Sequence, residues 1–121
     1  MKCTQYITFQ DQAKTIGEDQ QSDLHFDPFN APGVDAGMDS VLLFKLNPLG
    51  QPVHLRIRIG NNQHFVDKEF PATPAGDYRS FHELVDKGML TASGNEMVVS
   101  VAVLGKVAVS DFVLMYMVNI N

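Results

Sequence analysis

Three groups of residues carry side chains whose types and spacing could do chemistry. Tyr78, Arg79 and His82 set an aromatic ring beside a guanidinium and an imidazole, next to a Pro-containing loop. Such a set suits a sugar or a base, which stacks on the ring and hydrogen-bonds to the polar groups. The plainer reading is a loop anchored by a buried tyrosine. His54, Arg56 and Arg58 alternate along one run, so they share a face. Guanidinium forks there would hold a carboxylate or phosphate. Otherwise they are the wet side of a half-buried strand, paired with Asp67 and Glu69 across the next turn. Asp23, His25 and Asp27 also alternate, with Asp35 and Asp39 downstream. Carboxylates near a Gly-containing loop suit a hard cation such as calcium, which takes oxygen ligands. A histidine among them suits zinc or another transition metal. Nothing has EF-hand or HExxH spacing, which favours a solvated strand face followed by a polar loop.

Nucleophilic catalysis has little to build on. Cys3 stands near the N-terminus, and there is no Gly-x-Ser-x-Gly elbow or phosphate-binding glycine loop. Ser100 and Ser110 sit inside strand patterns. Ser110 with Asp111 marks a bulge or a strand start, where a lone Asp bonds to backbone more often than it does chemistry. With no convergent acid–base or nucleophile set, a non-enzyme is expected.

The bulk composition narrows the partners. A chain of 121 residues is expected to form a single domain, residues 1–121, with a core that needs no staples. A net charge of −5 with only nine scattered Lys and Arg argues against nucleic acid. A single cysteine excludes an intrachain disulfide. The first residues lack the apolar core of a signal peptide, and no run reaches the roughly 18 apolar residues of a membrane span. The expectation is a soluble protein without membrane insertion, cytoplasmic or released without a standard signal.

The elements that must position these residues read mainly as strands. Residues 2–10 alternate weakly and suggest a first strand. Residues 11–22 are polar and read as a loop or an exposed edge hairpin. Residues 23–27 alternate strictly, and 28–37 form an irregular loop with two Pro and two Gly. Residues 40–46 make a strand stopped by Asn47, Pro48 and Gly50. Residues 53–59 alternate cleanly, then turn at Gly60, Asn61 and Asn62 into 63–70, a hairpin. Residues 71–77 are loop. Residues 80–90 have Phe81, Leu84 and Val85 at helical spacing, with Ser80 as cap and Glu83 closing a capping box. They predict one short helix; a strand over 79–85 is the alternative.

Residues 90–120 hold two apolar, β-branched runs around Gly105 and Lys106, which read as adjacent antiparallel strands. In the second run Phe112, Leu114, Tyr116 and Val118 share one face, and Val113, Met115 and Met117 the other. One set should be core. The other, Val113, Met115 and Met117, needs a helix or N-terminal segment over it, or a homo-oligomer interface. Residues 40–46 have the same two-sided character, and the two strands side by side would form an outer apolar patch.

Seven or eight short strands with one short helix point to an all-β, single-domain antiparallel β-sandwich or a barrel. The order of elements also matches a known pattern. A hairpin with Asn at its turn is followed by Leu90, Gly94, Asn95, Val99 and Val101, then Val109, Asp111, Leu114 and Tyr116. Over residues 52–120 this resembles the closing half of jelly-roll sandwiches of the galactose-binding type. The resemblance implies a jelly-roll fold; such folds host carbohydrate binding, protein binding and scaffolding alike. The expected function is a lectin-like, non-catalytic module that takes a carbohydrate or similar polar ligand through loops near residues 28–39 and 71–82. The alternative is a homo-oligomeric assembly protein of a virion, tail or surface layer.

Overall fold

The structure, a computed structural model, describes residues 1–10, 12–17, 23–73, 77–102 and 105–119. Among the described residues, β-branched and aromatic runs punctuated by Gly, Pro and Asn form nine strands: β1 (Lys2–Gln10), β2 (Lys14–Gly17), β3 (Asp23–His25), β4 (Ser40–Pro48), β5 (Val53–Ile59), β6 (Val66–Phe70), β7 (Arg79–Val85), β8 (Met97–Val101) and β9 (Lys106–Asn119). All their pairings are antiparallel. One sheet has the order β1-β9-β4-β7, with β2 beside β9 below β1; the other has the order β3-β8-β5-β6. The two stack as a sandwich.

Alternation decides what lies between them. Leu42, Phe44 and Leu46 of β4 and Val53, Leu55, Ile57 and Ile59 of β5 are buried. A chain of phenyl rings runs through the interior: Phe81 stacks on Phe44, Phe44 on Phe112, and Phe112 meets Phe26, which meets Phe9. At the β6–β7 side an ion pair between Lys68 and Glu83 joins the two sheets.

The sequence expectations need three corrections. Residues 80–90 do not form a helix. Residues 79–85 pair with β4 over their whole length, then the chain turns. Phe81 and Val85 point inward while Leu84, third member of the supposed helical stripe, is 53% exposed. Period two won because Phe81 gains the Phe44 and Phe70 rings as neighbours. Secondly, β8 and β9 are not paired neighbours; they lie in opposite sheets. Both runs are apolar because each faces the other's sheet, with Met97 and Val99 on one side and Val107 and Val109 on the other. Beside the Gly105 break the chain comes close to Gly17: a Cβ on Gly17 would lie 2.1 Å from the Gly105 carbonyl oxygen, so residue 17 has no room for a side chain. Thirdly, the polar segment 11–22 contains β2, which continues the β1 edge along β9. Residue 11, residues 18–22, residues 74–76 of the expected 71–77 loop and residue 120 lie outside the described residues.

Candidate functional site

Register lays out the outer face of the larger sheet. Tyr6, Met115, Val41 and Leu84 form one row, a residue from each of β1, β9, β4 and β7. Thr8, Val113, Leu43 and His82 form the next. Ser110, Lys45 and Ser80 form a third. The first row is apolar, the second is apolar only at its centre, Val113 and Leu43, and the third is polar.

A β-bulge divides them. Leu43 pairs with Val113 but Lys45 pairs with Ser110, so β9 spends one residue more than β4. The inward set changes parity there, from Val107 and Val109 to Phe112, Leu114 and Tyr116. Asp111 absorbs the change with φ of 55°, the left-handed region that non-glycine residues seldom occupy. Strain of this kind persists only where the surroundings fix it, and pairing of β9 on both sides does so.

The surface dips at the bulge. A hollow of about 270 Å3 is lined by Ala13, Lys45, Tyr78, Ser110 and Asp111. A second of about 240 Å3 shares Lys45 and Asp111 and adds Leu43, Ser80 and Val113. Ser110 Oγ donates to Asp111 Oδ2 at 2.9 Å, and Lys45 Nζ lies 3.8 Å from the same oxygen. Tyr78 is 40% exposed. One place therefore offers an aromatic ring, an ammonium, a carboxylate and a hydroxyl.

Of the sequence candidates, Tyr78 belongs to this hollow and His82 lies on the same face, one row beyond Ser80. Arg79 is separated from both. It registers with Leu46, an inward position, and is exposed on the strand at the sheet's edge. His54, Arg56 and Arg58 lie on the other sheet and follow the plainer reading. Asp67, across the hairpin, is shared by His54 Nε2 and by Arg56 Nε, the latter at 3.1 Å. Arg58 donates to the Gly60 carbonyl. Hydrogen bonding from His54, then Arg56, holds the Asp67 carboxyl below its ordinary range.

The Asp23, His25 and Asp27 set is not gathered as a metal site. Asp23 and His25 stand 3.9 Å apart, and among the described residues no three His, Cys, Asp or Glu side chains could hold an ion. His25 and Asp27 instead rim a cleft of about 410 Å3 between β1 and β3, floored by Phe9, Phe26 and Phe29. Val113, Met115 and Met117 are half-buried on the outer face just described. Among the described residues neither expected cover lies over them: residues 80–90 begin as β7 and residues 2–10 are β1, both strands of the same sheet.

Lys45, Ser110 and Asp111 were not singled out as ligand groups by sequence. The parity break between Val109 and Phe112 was a usable signal for the bulge. Nothing local in sequence brings Tyr78 or Lys45 to it.

No protein-family model matches the chain, and no curated protein matches it in sequence. Solved structures do match it in shape. A carbohydrate-binding module of Cellvibrio mixtus lichenase 5A, in complex with cellotriose, superposes with a TM-score of 0.61 at 13% identity, over 91% of this chain and 95% of that one. The C-terminal family 6 carbohydrate-binding module of the laminarinase LamC from Zobellia galactanivorans gives 0.59 at 6% identity, over 93% and 99%. A xylan-binding module of family 15 gives 0.55 at 9% identity, over 96% and 97%. At such identities the likeness establishes the fold, a jelly-roll β-sandwich.

Proposed function

We propose that this chain is a non-catalytic carbohydrate-binding module, and that it holds its glycan at the bulge on the outer face of the β1-β9-β4-β7 sheet. One observation carries the reading: exposed Tyr78 shares a hollow with the Lys45–Asp111 pair and Ser110. A sugar ring has apolar C–H faces and an equatorial rim of hydroxyls. The phenol suits the face; the carboxylate, ammonium and serine hydroxyl suit the rim. Neighbouring Leu43 and Val113 extend the floor without charge. The shape neighbours support the reading, since each is named as a carbohydrate- or xylan-binding module and one carries cellotriose.

The test is calorimetric titration against soluble β-1,4-glucan, β-1,3-glucan and xylan oligosaccharides. At least one should bind, and Tyr78→Ala should weaken it about tenfold or more while the melting temperature stays put. Absence of binding to every glycan tried would remove the reading. A collapsed melting temperature in Tyr78→Ala would make the ring structural, and Asp111→Asn would then decide.

A second reading, self-assembly, is favoured by the half-buried apolar side chains of Val113, Met115 and Met117 on the outer face. On that reading Met115→Lys yields a folded monomer from an oligomer.

A further inference from the structure

We infer that β1 is a self-pairing edge, and that two copies of this chain join antiparallel through Lys2–Gln10 with Tyr6 opposite the second copy's Tyr6. A sheet edge presents unpaired backbone donors and acceptors, and proteins protect such edges with charge, brevity, proline or irregularity. Four edges here are protected. β6 carries Asp67, Lys68 and Glu69 in succession, and β7 carries Arg79, His82 and Glu83. β2 and β3 are four and three residues long. β1 is different. It has nine residues, no proline and one charge, Lys2, which is already paired with Asp35. Its register against β9 is unbroken from Lys2 to Thr8 and shifts once, between Thr8 and Gln10 at the strand's end. Among the described residues, its backbone pairs with β9 alone.

The strand is also its own complement. A two-fold axis perpendicular to the sheet keeps faces in register, so each residue meets one of equal parity. Only the axis at Tyr6 pairs all nine residues of both strands. It sets Thr4 against Thr8, Gln5 against Ile7 and Tyr6 against itself. Thr–Thr and aromatic pairs are favourable across an antiparallel ladder, and no like charges face each other. Tyr6, 62% exposed and the strand's midpoint, would leave water. The two larger sheets would become one, with both outer faces on the same side. This inference does not depend on the glycan site.

The test uses sedimentation velocity over micromolar to near-millimolar protein, with circular dichroism for the fold. The native chain should dimerise. The Thr4→Lys, Thr8→Lys double variant should fold and dissociate at least about tenfold more readily, because each lysine faces another across the axis. The Thr4→Glu, Thr8→Glu double variant should behave likewise, and an equimolar mixture of the two should restore the dimer. Separately, Tyr6→Cys in a Cys3→Ser background should cross-link under mild oxidation faster than Leu84→Cys in that background. That second assay decides if the lysine variant fails to fold. A native monomer throughout, a dimer indifferent to the lysines, or equal cross-linking would overturn the inference.

Discussion

Asn95 and Phe29 hold each other by two backbone hydrogen bonds of 2.9 Å, one in each direction. The Asn95 side chain, buried, adds bonds to the Phe29 and Thr91 carbonyls and accepts from the Thr91 amide. One asparagine thereby ties the loop before β8 to the segment that follows β3. Asn95→Ala strands those groups, and a loss of about 2–3 kcal/mol is expected in urea unfolding. A change under about 0.5 kcal/mol, the level of an ordinary surface substitution, would mean the loops are held by their backbones alone.

At Asp111 backbone and side chain make opposite demands. Asp111→Gly should leave stability equal or slightly raised, since glycine adopts the positive φ without steric cost. Asp111→Val should lower it by about 1–3 kcal/mol, because a β-branched residue is strained there. Thermal unfolding of both variants separates the bulge's geometry from its carboxylate. Equal melting temperatures would say that β9 rearranges.

Acid should weaken the outer face of the smaller sheet. The Asp67 carboxyl titrates below its ordinary value in the folded chain because His54 and Arg56 bond to its ionised form. Its contribution is therefore complete above the ordinary carboxylate pKa, and is lost as pH falls from there through the folded value. Melting temperature should fall with pH over that acid window, and less steeply in Asp67→Asn. Parallel slopes would place the acid sensitivity in other carboxylates. Asp35, lowered by Lys2 and the Gly37 amide, is the next candidate.

The strand identity of residues 79–85 can be read from a neighbouring pair. Leu84→Ser should cost under about 0.5 kcal/mol, since its side chain faces outward. Val85→Ala, buried, should cost about 2 kcal/mol. Chemical denaturation compares them, and a helix would have made both expensive.

Much of the fold was legible because period-two patterns survive in sequence: β1 and β5 end where alternation ends, and residues 40–46 lie within β4. The failures share a cause. Phe81, Leu84 and Val85 satisfy helical spacing by accident, and only the phenyl rings of Phe44 and Phe70 decide against it. The Val-rich runs around Gly105 announce burial, but not whether they bury against each other side by side or across the sandwich. The candidate site was half legible. Residue type points to Tyr78, while the pattern marks Asp111 only as a bulge or strand start and not as a ligand group. Their meeting depends on β4 lying between β7 and β9, a long-range pairing that no local spacing encodes.

The place of β9 also bears on how the chain reaches this state. It follows the other described strands in sequence, yet it is the one on which β1, β2 and β4 all depend. Lys2 waits for Asn119, and Cys3 for Val118. During synthesis the β5–β6 hairpin and the β4–β7 pair can form early, while the larger sheet has no spine until residues 106–119 leave the ribosome. Closing loops of that length before any contact is gained makes for slow folding. In the interval β1 and the β9-facing edge of β4 stand open, the period in which a nascent chain most needs a chaperone.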